Sequence, residues 1–313
     1  NKTCTAGFSR TIAALDQGHG DTLFVALFML TRRHYSISLR GRPPLLLGVR
    51  TLVMGIINVT PDSFADGGIR FDPARAIEDG LRMVAEGADI LDIGGESTRP
   101  GADALPAEEE LRRVLPVVEG LAGASAAVSI DTYKAVVARE AVARGAVIVN
   151  DISGLRFDPD LGRTVAEMGA AVVLMHNRGR SREMYREADY ADAPAEIGAE
   201  LNEAIGRAVD AGVAREAIII DPGIGFAKRA VHSYQALAHL DALAVLDRPV
   251  LAGPSRKSFL KTAIGDKQPD QREWGTAAAV AASVLLGAHI VRVHGVAEMV
   301  DVVRVIDRIL DAR

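Results

Sequence analysis

AIIIDPGIGFAK, residues 217–228, is an apolar run that ends abruptly in a turn. Ile218, Ile219 and Ile220 make a run that is apolar on both faces, as in a strand buried between a barrel interior and surrounding helices. Asp221-Pro222-Gly223 ends the run, because Pro removes a ladder donor and Gly allows a sharp exit. A carboxylate is thereby delivered at the C-terminal tip of a buried strand. One such Asp starts a turn as readily as it does chemistry. Its weight comes from repetition, because the rest of the chain uses the same device.

From Thr51 onward, strand patterns alternate with amphipathic ones. Strands are expected over 51–57, 89–93, 127–130, 146–149, 171–175, 217–220, 249–252 and 289–293. Asp72-Pro73 opens one helix as N-cap and first-turn Pro, with Ile77, Leu81 and Val84 on its inner face. Pro106 opens another, with Glu108, Glu109 and Glu110 at the positive end of the helix dipole. The helix after Pro194 is expected to bury Ile197, Leu201, Ile205 and Val209 and to end at Gly212. Eight strands with helical crossovers over about 260 residues match a single-domain (β/α)8 TIM barrel. An open doubly wound sheet is the competing arrangement. It requires an early dinucleotide or phosphate fingerprint, and neither G-x-G-x-x-G after the first strand nor a Walker A sequence is present.

Composition agrees with this architecture. The 313 residues are 49% hydrophobic but only 4% aromatic, so the core is built from Ala, Val, Ile and Leu. Such a core suits parallel strands and stacked helices. The formal charge of −5 gives no support to nucleic-acid binding. The single cysteine, Cys4, rules out an intrachain disulfide framework and fits a reducing, cytoplasmic setting. Residues 1–37 do not follow the barrel pattern and read as an extension of unknown role ahead of a barrel domain over 38–313. The apolar run Thr22–Leu30 is nine residues long, too short to span a bilayer, and no cleavage site of a signal peptide is evident. Ser38 to Val49, with Gly41, Pro43, Pro44 and Gly48, reads as a hairpin-like lid.

Functional residues of a barrel gather at the C-terminal ends of its strands. Here those ends carry Asn58, Asp92, Asp131-Thr132, Asn150-Asp151, Met175-His176, Asp221, Gly253-Pro254-Ser255-Arg256-Lys257-Ser258 and Arg292-Val293-His294. Individually each has a plain reading: Asp131 or Thr132 caps a helix, Asn150 makes an Asx-turn, and His176 packs behind the site. Together, carboxylates and an amide on neighbouring tips can satisfy the polar edge of a flat heterocycle. Arg292 and His294 stand two apart and share a face, so with Asn58 they make an anion site where the last strand meets the first.

The chain resembles the dihydropteroate synthases through MGIINVTPDSFADGG (54–68), ADILDIGGESTRPGA (88–102), VSIDTYK (128–134), VNDISG (149–154), LMHNRG (174–179), IIIDPGIGFAK (218–228), GPSRKSF (253–259) and RVHGV (292–296). The resemblance covers residue 39 to the end, in family order. It implies a pterin-binding barrel that joins 6-hydroxymethyl-7,8-dihydropterin diphosphate to p-aminobenzoate in folate synthesis. It further implies Mg2+ on the diphosphate, inhibition by sulfonamides and a homodimer formed through the last helices. By motif, Asp131, Asn150 and Asp221 are expected to hold the pterin, with Met175 packing on it and Lys257 beside its ring. Asn58 is expected to serve the Mg2+-diphosphate, and Arg292 and His294 the diphosphate itself. Thr98, Arg99, Pro100 and Ser258 are expected to shape the p-aminobenzoate pocket, with Lys257, Asp131 and Arg99 nearest the chemistry. A methyltetrahydrofolate-corrinoid methyltransferase-like domain is the alternative, but it lacks the TPDSF and STRPG loops. A non-catalytic pterin-binding paralogue is another, expected to show damaged loops. The family usually has Gly where Ala227 stands, and a methyl there is expected to fit only with φ below zero.

Overall fold

A computed structural model of the chain describes residues 32–60, 72–98, 101–180, 184–186 and 188–312. The body runs from His34 onward. It begins with a hairpin of β1 (Tyr35–Leu39) and β2 (Arg42–Leu47). Strands β3 (Leu52–Asn58), β4 (Ile90–Gly94), β5 (Ala127–Asp131), β6 (Ile148–Asp151), β7 (Ala171–Met175), β8 (Ile218–Asp221), β9 (Leu251–Ala252) and β10 (Ile290–Val293) follow. They form one parallel sheet in the order β8-β7-β6-β5-β4-β3-β10-β9. A bridge between Ile220 and Val250 joins its two ends, so the eight strands make a nearly closed (β/α)8 barrel. The helices around it are α1 (Pro73–Glu86), α2 (Ala107–Leu121), α3 (Ala135–Ala143), α4 (Leu161–Met168), α5 (Ala193–Asp210), α6 (Ala230–Ala238), α7 (Lys261–Ile264), α8 (Glu273–Leu285) and α9 (Val296–Asp311).

Side-chain alternation divides the interior. Val53, Ile57, Leu91, Ile93, Val128 and Ile130 face the helices and join the larger cluster. Leu52, Met54, Ile90, Ala127, Ile148 and Ile290 face inward near the strand starts, where they meet Ile37, Leu39 and Leu47 of the hairpin. The hairpin therefore closes the end of the barrel opposite the polar strand tips. Read as a lid from Ser38, it is instead a plug that starts at Tyr35, since alternation along Tyr-Ser-Ile-Ser-Leu drives Ile37 and Leu39 into the open barrel end. Burying such a side chain contributes about 1.5–3 kcal/mol.

Helix faces follow from the same logic, with two corrections. Asp72 caps α1 as expected, accepting a 2.9 Å bond from the Ala74 amide. Its buried face is Ala76, Gly80 and Met83, however; Ile77 and Val84 only border the core, and Leu81 is exposed. Small residues on that face let the helix lie close to Ile57 and Leu121. In α5, Ile197, Leu201 and Ile205 are buried as expected, but Val209 is exposed and Ala208 takes the inner position. A four-residue step overshoots the helical turn by about 40°, so the fourth residue of the series has rotated off the face.

Candidate active site

Register aligns the strand tips in two groups, with Asn150 opposite Val173 and so two residues short of Met175. Asn58 lies beside Gly94, Gly94 beside Asp131, and Asp131 beside Asn150; Met175 lies beside Asp221. Six strand tips thus converge on the same mouth, each having ended a short apolar run.

At its centre stands Asp92, two residues before the end of β4 and fully buried. Its Oδ2 accepts from Asn150 Nδ2 at 2.9 Å and from Arg292 Nε at 2.6 Å. Arg292 Nη2 also donates to Asp131 Oδ2 at 2.8 Å. Burial pushes the Asp131 carboxyl up to about 7, with Asp92 adding to the rise and Arg292 opposing it. Oδ1 of Asp92 has no hydrogen-bond partner in this array. A buried acceptor left open is costly unless a ligand donor fills it. From sequence Asp92 reads only as a strand end; its signal is a carboxylate between Leu91 and Ile93 in a strand buried on both faces.

On the opposite wall, Asp221 Oδ1 accepts from the Gly223 amide at 2.7 Å, and burial raises its pKa against the pull of Lys257. Only Gly fits at 223: its φ is +65°, and a Cβ there would lie 1.9 Å from the His176 carbonyl oxygen. Lys257 Nζ donates to the Ile224 carbonyl and sits 4.2 Å from the centre of the Phe226 ring. Burial lowers its pKa to about 7, with Asp221 opposing the fall. Arg256, just before it, is held at φ +58°. Its amide bonds Thr276 Oγ1 at 3.0 Å and its carbonyl accepts from Arg272 at 2.6 Å, which keeps the strained backbone in place. Tyr133, Ile152 and Met175, bordered by Phe157 and Phe226, form an apolar floor.

Behind this wall His176 is buried and neutral, its pKa lowered to about 4 by burial and by nearby Lys228. Lys228 Nζ lies 2.8 Å from His176 Nδ1 and donates to the Phe226 carbonyl at 3.1 Å. Ala227, between them, is fully buried at φ +44°, contrary to the expectation that a methyl requires a negative φ. Its carbonyl accepts from Tyr190 Oη at 2.9 Å. Bonds on both sides of Ala227 thus hold a left-handed backbone that its side chain disfavours.

The strand seam is less compact than its sequence suggests. Arg292 pairs with Met54 in register, four residues before Asn58, and its guanidinium turns to Asp92 and Asp131. No hydrogen bond joins it to Asn58, which is exposed at the tip of β3. His294 shares a 2.9 Å bond with Ser255 Oγ. Thr98 is half-buried beyond β4 and Ser258 is exposed beyond β9. Arg99 and Pro100 lie outside the described residues, as does 61–71, which holds most of the TPDSF segment. Among the described residues no three His, Cys, Asp or Glu side chains cluster as a metal site.

The model of the pterin-binding enzyme family matches residues 54–294. A dihydropteroate synthase of Mycobacterium leprae is 47% identical over 266 residues, covering 83% of this chain and 94% of its own. The chain belongs to the dihydropteroate synthases. The structure of the Xanthomonas albilineans enzyme with 4-aminobenzoic acid is 44% identical, has a TM-score of 0.81 and covers 88% of this chain and 98% of that one. That of the Yersinia pestis enzyme with a sulfonamide drug complex is 40% identical, has a TM-score of 0.82 and covers 88% and 99%. Both the fold and the order of the motifs along the chain agree with this family.

Proposed function

We infer that the chain condenses 6-hydroxymethyl-7,8-dihydropterin diphosphate with p-aminobenzoate, yielding 7,8-dihydropteroate and diphosphate. The observation that carries this reading for the site itself is the hydrogen-bonded array of buried Asp92 and Asn150 with half-buried Arg292 and Asp131 beside the apolar floor at Met175. Such an array suits a flat ring whose edge alternates donors and acceptors. Asp131, Asn150 and Asp221 hold that edge, Met175 packs on the ring and Lys257 stands beside it. Arg292 and His294 serve the diphosphate, and Thr98, Arg99, Pro100 and Ser258 the p-aminobenzoate.

The reaction breaks the bond between the exocyclic pterin carbon and the diphosphate oxygen, whose electron pair leaves with diphosphate. The electron-rich dihydropterin stabilises the positive charge at that carbon, the neutral aniline nitrogen attacks it, and the nitrogen then loses a proton. Charge placement and orientation do most of this work, so no covalent nucleophile is needed. Lys257, Asp131 and Arg99 supply the nearest charges.

Mg2+ fits as an ion carried by the diphosphate. Such an ion would need only one or two groups from the protein. The exposed amide oxygen of Asn58 suits that part better than an acidic cage, and none is present among the described residues. When bound, the ion neutralises charge on the leaving group.

The deciding experiment is diphosphate release with and without p-aminobenzoate, repeated with a sulfonamide as competitor. Dependence on p-aminobenzoate and competitive inhibition are expected; diphosphate release that ignores p-aminobenzoate would overturn the reading. A homodimer through α8 and α9 is part of the proposal, supported by the exposure of Trp274, Leu285, Val305 and Ile309. Sedimentation at micromolar concentration should show it. A cytoplasmic location is part of the proposal; among the described residues no helix is long and apolar enough to cross a membrane.

A further inference from the structure

Glu96, two residues beyond β4, is the point at which the segment carrying Thr98 leaves the barrel. Tyr133 Oη donates to its Oε1 at 2.8 Å. Lys134 Nζ donates both to Glu96 Oε2 and to Glu110 Oε2 of α2. All three charged side chains are largely buried, with Glu96 9%, Lys134 14% and Glu110 1% exposed. The residue before is clamped as well: Arg113 donates to the Gly95 carbonyl at 3.1 Å, and a Cβ at 95 would lie 2.7 Å from Val114. The returning limb of the segment, Ala102–Ala104, lines a 170 Å³ cavity together with Glu96 and Tyr133. Both roots of the segment therefore border the same cavity as Tyr133.

The same Tyr133 ring packs with Met175 and Ile152 in the floor of the site. One stretch, Asp131 to Lys134, thus bonds Arg292 at one end and Glu96 at the other. A purely stabilising role explains little of this. Two carboxylates share one ammonium, and burying such a group contributes weakly to stability compared with apolar packing. What the arrangement does supply is a defined position for Glu96.

We propose that Tyr133 and Lys134 are positioning residues for p-aminobenzoate: by holding Glu96 they set where the Thr98 segment starts, and through the Tyr133 ring they tie that start to the pterin floor. This rests on the proposed reaction. Tyr133→Phe keeps the ring in the floor and removes one bond to a carboxylate. It should raise KM for p-aminobenzoate about tenfold while KM for the pterin substrate stays within about twofold. Lys134→Arg retains the charge and should stay near wild type. Lys134→Met strands two buried carboxylates and can fail to fold, so the argument rests on Tyr133→Phe.

A second measurement does not depend on turnover. Hydrogen exchange of the amides of 94–98 should quicken in Tyr133→Phe relative to wild type, with the thermal midpoint nearly unchanged. A p-aminobenzoate KM within twofold of wild type, equal changes for both substrates, or unchanged exchange at 94–98 would each overturn the proposal. Wild-type protein lacking p-aminobenzoate-dependent release would overturn the reaction instead, and the exchange comparison would still decide whether Tyr133 anchors Glu96.

Discussion

Replacing Asp221 by Asn should separate two properties that the carboxylate combines. Its pKa is raised in the fold, chiefly by burial, with Lys257 and the Gly223 amide opposing. A group whose folded pKa lies above the unfolded one stabilises the fold below the ordinary carboxylate range and loses that contribution as pH rises through the folded value. At neutral pH the raised pKa of Asp221 therefore weighs against folding. The Asn variant should melt at the same temperature or higher at pH 7.5, with the difference shrinking toward acid pH. Pterin binding should move the other way. The Gly223 amide donates to Oδ1 at 2.7 Å, so an Asn side chain must turn its carbonyl oxygen there and point its NH2 at the ligand. A donor then faces the donors of the pterin. Loss of a charge-assisted bond is worth about 1.5–3 kcal/mol, or roughly 10- to 150-fold in affinity, and the misplaced donor favours the upper part of that range. Lys257 would lose the charge that opposes its burial, so its pKa should fall below about 7. Calorimetry with a pterin ligand and melts over pH would test both halves. Pterin affinity within threefold of wild type, or a midpoint lowered by several degrees at pH 7.5, would refute the reasoning.

Three further outcomes follow from the packing. Asp92→Ala should destabilise the protein by about 3–5 kcal/mol in urea unfolding, because it leaves the half-buried Arg292 without one of its two carboxylates and the buried Asn150 without its acceptor. Ala227→Gly should stabilise by about 0.5–1 kcal/mol: relief of a left-handed alanine is worth about 1–2 kcal/mol, offset by the greater freedom of glycine in the unfolded chain. Denaturant midpoints would show a loss instead if burial of the methyl dominates. Removing residues 1–33 should leave diphosphate release intact, whereas removal through Ile37 should lower the thermal midpoint by several degrees, since it deletes most of β1 and the buried Ile37.

Much of the site was legible because strand tips are local features. A short apolar run followed by Asp, Asn or Met places that side chain at the mouth whatever surrounds it, and Asp131, Asn150, Met175 and Asp221 all stand there. β9 was harder. The expected 249–252 shortens to Leu251–Ala252 because Pro249 cannot donate to the ladder and Pro254 follows closely. Thr98, Ser258 and Asn58 stand on loops and tips where the sequence names the residue but not its distance from anything else.

By itself, then, the sequence determined the count and order of the strands, the Asp72 cap and which polar groups stand at the mouth, since each depends on periodicity or on neighbours a few residues away. Only the tertiary structure decided the rest. Asp92 became the centre of the site because Arg292, 200 residues later, and Asn150 both reach it. The hairpin became a plug because the barrel end it fills is built from strand starts spread along the chain. Ala227 took a left-handed backbone because Tyr190 and Lys228 hold both sides of it. Protonation at Asp131, Lys257 and His176 likewise shifts through burial and through charges that lie far apart in the chain. Burial and Coulomb interactions depend on distance in space, and spacing along the sequence carries that distance only within a single element.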